Sequence, residues 1–217
     1  AGSVAAIRRK LGDRIGTGFL VRAGDLGREP ADELLLLTNF HVVNERGDVQ
    51  AAMPVDAEAS FEAVESGRRY DIAAVLWSSP VDRHDASLLR LATPVTGVAP
   101  LPIAAALPVI DDAARVYVIG HPGGRELAFS FQDNELLDHE GPPGGQPQIE
   151  GVCRVHYRAP TEGGSSGSPV FNSRLWQVIA LHHKGGKIGM PKLNGKPGSY
   201  GANEGIAIQS IIAAMRT

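Results

Sequence analysis

Glycine and proline cut this chain into short apolar stretches, and that punctuation limits its fold more than any other feature. Residues 15–22, 33–39, 48–54, 60–65, 70–77 and 85–91 are apolar or alternate in polarity over strand-like lengths, as are 114–120, 126–132, 147–157, 169–172, 175–182 and 204–209. With 26 glycines and 15 prolines in 217 residues, the breaks come too often for long helices, and no apolar run approaches a membrane span. The expectation is an all-β chain, large enough for one big unit or two small barrels. The proline-spaced, mostly apolar residues 92–110 suit an extended connection, and 133–146 and 187–202 read as long loops.

One loop carries chemistry. Thr161-Glu-Gly-Gly-Ser-Ser-Gly-Ser-Pro-Val170 places serines between residues without side chains. Glycine permits the dihedrals that aim backbone amides at one point, and a pair of such amides is what a carbonyl oxygen needs as it becomes an oxyanion. Ser166 is taken as the nucleophile, with the N–H groups of Gly164 and Ser166 as the oxyanion hole. A plain Gly/Ser linker is the alternative, and the apolar Val170-Phe171 that follows argues against it.

A serine hydroxyl needs a base, and the base needs something to orient it. His41 stands at the end of the apolar run Leu34-Leu-Leu-Leu-Thr-Asn-Phe-His-Val-Val43, a good place for a fixed ring. Asp85 opens the apolar run Asp85-Ala-Ser-Leu-Leu-Arg-Leu91 and is the favoured partner carboxylate. Asp71, in Tyr70-Asp-Ile-Ala-Ala-Val-Leu76, is the second candidate.

Four segments in order resemble the motifs of the trypsin/chymotrypsin-like serine peptidase clan: Gly16-Thr-Gly-Phe-Leu-Val21, Leu37-Thr-Asn-Phe-His-Val-Val43, Asp85-Ala-Ser-Leu-Leu-Arg-Leu91 and Gly164-Ser-Ser-Gly-Ser-Pro169. Each alone matches by chance, but the ordered set is specific. The resemblance implies two six-stranded antiparallel Greek-key β-barrels and a short C-terminal helix over 208–215. Residues 1–100 would form the barrel bearing His41 and Asp85, and 101–217 the barrel bearing Ser166, the oxyanion hole and the substrate pocket. An α/β-hydrolase is disfavoured, because its elbow is G-x-S-x-G with the histidine downstream, whereas Ser168 replaces the second glycine here.

Cys153 is the one cysteine, so the chain holds no internal disulfide, unlike secreted animal members of the clan. That feature resembles the bacterial branches, HtrA-like and glutamyl-endopeptidase-like. No signal peptide is visible from Ala1, and both the cytoplasm and bacterial secretion stay open as compartments. Cys153 itself reads as a strand residue.

In this clan, substrate choice is set just before the serine and on the strand after it. The relevant residues here are Thr161, His182, His183 and Gly185. His182 and His183 point to opposite faces of a strand, so they cannot both enter the pocket. Glutamyl endopeptidases resemble this chain in pairing a strand histidine with a threonine before the nucleophile, which implies an acidic residue before the scissile bond, held by imidazolium and hydroxyl. A satisfied core role for His182 is the competing reading. His84, His121, His139 and His156 read as packing or loop residues.

No H-E-x-x-H or paired Cys/His spacing is present, so no metal and no cofactor is expected. Gly16-Thr-Gly18 and Gly195-Lys196 are too incomplete for nucleotide motifs. A formal net charge of −3 gives no reason to expect a nucleic-acid partner, and none to expect a membrane. The expected partner is a protein or peptide substrate. Ser165 occupies the place where the trypsin branch carries an acid for its freed amino terminus, so control by a regulatory domain or partner acting on Gly163-Gly164 is the expectation instead. A catalytically silent binding module on the same fold is the alternative function.

Overall fold

The structure, a computed structural model, describes residues 1–47, 51–65, 67–142 and 151–216, with backbone alone at 187 and 188. Six strands, β1 (Val4–Arg9), β2 (Arg14–Arg22), β3 (Leu34–Thr38), β4 (Ala57–Ser60), β5 (Tyr70–Ser79) and β6 (Ala86–Leu91), close a barrel in the order β1-β2-β3-β6-β5-β4. Seven more follow: β7 (Val116–Gly120), β8 (Ala128–Phe129), β9 (Glu135–His139), β10 (Arg154–Arg158), β11 (Pro169–Asn172), β12 (Val178–Pro191) and β13 (Ser199–Ala207). They form one sheet in the order β8-β7-β11-β12-β13-β10-β9, all pairs antiparallel. A bridge between Arg115 and Glu135 ties the start of β7 to β9, so this sheet rolls toward a second barrel. The helix α1 (Ile208–Arg216) completes an all-β architecture consistent with the expected two barrels, the second unit being a seven-stranded half-barrel sheet in place of six strands.

The unbroken leucines of β3 show why the barrels stay together. Leu36 points into the first barrel with Leu20, Leu89, Ile7 and Phe61. Its neighbours Leu35 and Leu37 point outward and pack with Phe19, Val21 and Leu88 against Phe171, Val178, Leu181 and Ile206 of the second unit. A strand buried on both faces shows no alternation, and each leucine removed from water contributes about 1.5–3 kcal/mol. Ile208 and Ile211 of α1 join the same interface. The connection between the barrels is extended as expected, with Leu101 bonded to Leu20 of β2 and Ala104 to Val178 of β12.

Several boundaries move. β1 was not foreseen, because its apolar run at 4–7 is short, half of it alanine, and runs straight into Arg8 and Arg9. The expected loop 187–202 is largely the outer part of a long hairpin, in which Met190 pairs with Tyr200 and Pro191 with Ser199. Its glycines and lysines hide it, since an exposed hairpin needs no apolar alternation. Within the expected loop 133–146, residues Glu135–His139 pair with β10, and 143–146 lie outside the described residues. Of the strand expected at 48–54, residues 48–50 lie outside the described residues and Pro54–Asp56 form a 3-10 turn, the strand falling at Ala57–Ser60 instead.

Candidate active site

β3 ends at Thr38, and the chain turns at once, with Val42 and Val43 both donating to the Asn39 carbonyl. The turn presents His41 toward the residue that opens β6. Asp85 accepts the backbone N–H of His41 on Oδ1 at 3.1 Å and stands 2.7 Å from His41 Nδ1 through Oδ2. Asn39 Nδ2 donates to the Asp85 carbonyl at 2.8 Å. Asp85 adopts a φ of 44°, a left-handed conformation that costs a non-glycine residue about 1–3 kcal/mol and persists only where its surroundings impose it. Burial pushes the Asp85 carboxyl up, but hydrogen bonds from His183 and His41 outweigh it and hold the group down at about 2. Asp71, the second candidate, instead points outward from β5 and pairs with Lys10 at 2.7 Å.

The serine loop is folded against the first barrel. Thr17 of β2 donates its N–H to the Ser166 carbonyl at 2.8 Å, and its hydroxyl donates to the Gly164 carbonyl at 3.0 Å. A Cβ at Gly16 would lie 2.7 Å from the Val42 methyls and 3.2 Å from the Ser166 oxygen, so a bare residue there lets the loop close beside the His41 turn. Gly164, with a φ of 89°, has space for no side chain: its Cβ would meet the His121 carbonyl at 2.6 Å and the Gly124 nitrogen at 2.8 Å. Gly123 N–H holds the Gly163 carbonyl, which turns the Gly164 N–H the other way. Among the described residues the amides of Gly164 and Ser166 have no acceptor, leaving both free for an oxyanion. Ser165, where an acid was absent from the sequence, is buried and accepts the Glu162 N–H on its hydroxyl, so the loop is braced locally. Ser166 Oγ makes no hydrogen bond to His41 among the described residues; such contacts often tighten only once substrate binds.

Thr17 and His121 were not singled out as site residues. His121 donates its backbone N–H to Thr17 Oγ1 at 3.1 Å, and its carbonyl lies against Gly164. Burial, with help from Arg14, pushes the His121 imidazole down to about 4. A lone buried threonine between glycines in a strand was the available signal.

The pocket residues divide. A Cβ at Gly185 would stand 2.8 Å from Thr161 Oγ1 and 3.6 Å from His182 Nε2, so these three converge on one space. His182 Nδ1 lies 2.6 Å from the Tyr157 hydroxyl. Burial drives the Tyr157 phenol well up, so it stays protonated and donates to Nδ1. The ring hydrogen of His182 is thereby placed on Nε2, facing Thr161 and Gly185. Burial, aided by the charges of His183 and His41, pushes His182 down to about 3, so the expected imidazolium is a neutral donor. Thr161 Oγ1 donates to Asn203 Oδ1 at 2.9 Å, and Asn203 is fixed by Gly186 N–H at 2.7 Å and the Ala159 carbonyl at 2.6 Å. Asn203 was missed, since a single asparagine in a strand carries no motif.

His183 does not line this space. Its Nδ1 lies 3.3 Å from Asp85 Oδ2 and its Nε2 2.8 Å from Glu204 Oε1. Glu204 also meets His156 Nε2 at 2.8 Å, and His156 Nδ1 meets the Tyr200 hydroxyl at 3.0 Å. Strand alternation sends His182 toward Thr161 and Gly185 and His183 toward Asp85. Cys153 is buried beside β10, its thiol pushed up to about 12 by burial, which suits packing rather than reactivity. Among the described residues no group of three or more His, Cys, Asp and Glu side chains is arranged to hold a metal ion.

The family description "trypsin-like peptidase domain" matches residues 16–181, most of the chain. The chain belongs to that family. The span matched in this trypsin-like peptidase domain contains His41, Asp85 and Ser166 and ends just before His182. Among curated proteins none matches the chain by sequence. Solved structures share the fold: the inactive form of the Rv3671c protease is 20% identical with a TM-score of 0.64, covering 99% of this chain and 88% of that one. The active form of that protease, from M. tuberculosis, is 19% identical with a TM-score of 0.62, covering 99% and 80%. A serine endoprotease from Yersinia pestis is 16% identical with a TM-score of 0.61, covering 100% of this chain and 62% of that one. The serine protease domain of the Sesbania mosaic virus polyprotein is 17% identical with a TM-score of 0.55, covering 98% and 91%.

Proposed function

We propose that this trypsin-like peptidase domain hydrolyses peptide bonds through His41, Asp85 and Ser166. The observation that carries the reading is the His41–Asp85 pair, closed by two hydrogen bonds, beside a serine loop whose Gly164 and Ser166 amides are both free. Ser166 Oγ attacks the scissile carbonyl while His41 Nε2 takes its proton, and Asp85 stabilises the imidazolium formed. The two amides hold the oxyanion. His41 then returns the proton to the leaving amine, giving an acyl-serine. Water adds to this ester with His41 again as base, releasing the carboxylate product and restoring the Ser166 hydroxyl.

The residue before the scissile bond is read by His182, Thr161 and Gly185. His182 offers one neutral donor, and the Thr161 hydrogen is committed to Asn203, leaving Thr161 as an acceptor. An acidic side chain finds a donor here but no cation. A carboxamide finds both a donor for its oxygen and an acceptor for its nitrogen. The pocket therefore favours glutamate or glutamine over lysine, arginine or large apolar side chains, with glutamine cleaved at least as well as glutamate near neutral pH. A peptide library varied at that position tests this, and preferred cleavage after basic or large apolar residues overturns it.

A further inference from the structure

Asp85 has two histidine partners, and the proposed reaction uses one. The other, His183 on β12, lies between carboxylates from two different elements: Asp85 at the start of β6, 3.3 Å from Nδ1, and Glu204 on β13, 2.8 Å from Nε2. A neutral imidazole has one N–H and one lone pair, so between two carboxylate oxygens it satisfies one and repels the other. Only the imidazolium donates to both, through charge-assisted bonds. The side chains of His183, Asp85 and Glu204 are 11%, 1% and 10% exposed, so water replaces neither bond cheaply.

We propose that His183 is a positioning residue for the peptidase: a cationic clamp between Asp85 and Glu204 that keeps Asp85 ionised and aligned on His41, so that turnover depends on the charge of His183. This rests on the assignment of His41, Asp85 and Ser166 as the reacting set.

The surroundings of the clamp are defined on every side. Asp85 faces it from the position just before β6, with the His41 ring on the same Asp85 oxygen. Glu204 faces it from β13 and carries His156 of β10 on its other oxygen, with Tyr200 behind His156. Arg154 Nε lies 3.9 Å from that other oxygen at the exposed rim. His182 adjoins it on its own strand and is held neutral. Two buried carboxylates thus share His183 as their common partner.

Removal of the proton from His183 forces a choice. If the remaining hydrogen stays on Nε2, the lone pair of Nδ1 faces Asp85 Oδ2, the oxygen that also holds His41. If it stays on Nδ1, the lone pair of Nε2 faces Glu204 Oε1, and Glu204 keeps only the contact of its other oxygen with His156. Burial pushes His183 down, but Asp85 and Glu204 outweigh burial and raise it above the ordinary histidine value. A raised group is charged below its folded value and loses its contribution as pH climbs through it. The clamp therefore adds an alkaline limb to the pH profile, above the ordinary histidine range.

The test uses the intact chain labelled with 15N-histidine. At neutral pH the ring resonances that vanish in His183→Gln should show both nitrogens protonated, a readout that needs no activity. In kinetics, His183→Gln should lower kcat with little change in KM, by less than the ~10⁴-fold cost of losing the aspartate's own hold on the base, and should flatten the alkaline limb of kcat/KM. Glu204→Gln, which keeps the ring but removes one of its two counter-charges, should move that limb to lower pH. Should His183→Gln fail to fold, the shift in Glu204→Gln carries the same information. A singly protonated His183 ring at neutral pH, or an alkaline limb unchanged in both variants, overturns the proposal. A doubly protonated ring in a chain that cleaves no peptide overturns the peptidase reading and the positioning role with it, leaving the clamp as structure alone.

Discussion

Asp85 grips His41 twice, through the backbone N–H on Oδ1 at 3.1 Å and through ring Nδ1 on Oδ2 at 2.7 Å. Two bonds fix both the position of the residue and the orientation of its ring, which leaves Nε2 as the ring nitrogen not engaged by Asp85. Asp85→Asn keeps the shape but presents the wrong tautomer, and kcat should fall by about 10⁴-fold. Asp71 is bonded to Lys10 on the surface, so Asp71→Asn should leave kcat within about twofold, the ordinary scale for a surface substitution. Steady-state kinetics on the two variants separates them, and the opposite ordering refutes the assignment.

Gly164, at the proposed oxyanion hole, has no room for a side chain. A methyl group there meets the His121 carbonyl at 2.6 Å in a backbone conformation with φ of 89°. Gly164→Ala should turn its amide out of the hole and cost ~10²–10³ in kcat, the price of one donor, with KM little altered. A kcat near that of the parent chain would show that the hole lies elsewhere.

Gly185→Val fills the space between Thr161 and His182, since even its Cβ would stand 2.8 Å from Thr161 Oγ1. Cleavage after glutamate and glutamine should drop by at least tenfold, while reaction of Ser166 with a small acylating reagent continues. Equal loss of both would mean that the substitution damages the catalytic loop and not the pocket.

The stability of the chain should decline in acid. His121 is pushed down by burial to about 4 from 6.5, so the unfolded chain binds the proton first, and stability falls as pH drops below 6.5 toward 4. That shift corresponds to about 3 kcal/mol once both limits are passed. Asp85, held at about 2 from 3.8, contributes about 2 kcal/mol above pH 3.8 that is lost as pH falls toward 2. Thermal midpoints should decrease from pH 6.5 to pH 4, and His121→Gln should shrink the decrease. A midpoint that is flat over this range contradicts a buried neutral His121.

Much of this architecture was legible because the leucines of β3 and the apolar opening of β6 are buried where they stand, so hydrophobicity reports position directly. The hairpin of β12 and β13 was not, because its outer half is held by backbone pairing and carries glycine and lysine. His41, Asp85 and Ser166 were readable as motifs, each being a polar residue at the edge of an apolar run. Thr17, His121 and Asn203 act through hydrogen bonds to backbone or to neighbours distant in sequence, and no local pattern marks such contacts. His183 was visible but misplaced: alternation separates it from His182, yet which of the two faces the pocket depends on the register of β12 against β13.

The central claim is that Ser166 is a nucleophile activated by His41, and a fluorophosphonate tests it most directly, since attack by Ser166 Oγ forms a phosphorus–oxygen bond and expels fluoride. Intact mass and peptide mapping should show one adduct, on Ser166, in the parent chain, a greatly slowed reaction in His41→Ala and none in Ser166→Ala. No adduct on the folded parent chain, or an adduct that persists in Ser166→Ala, would contradict the account.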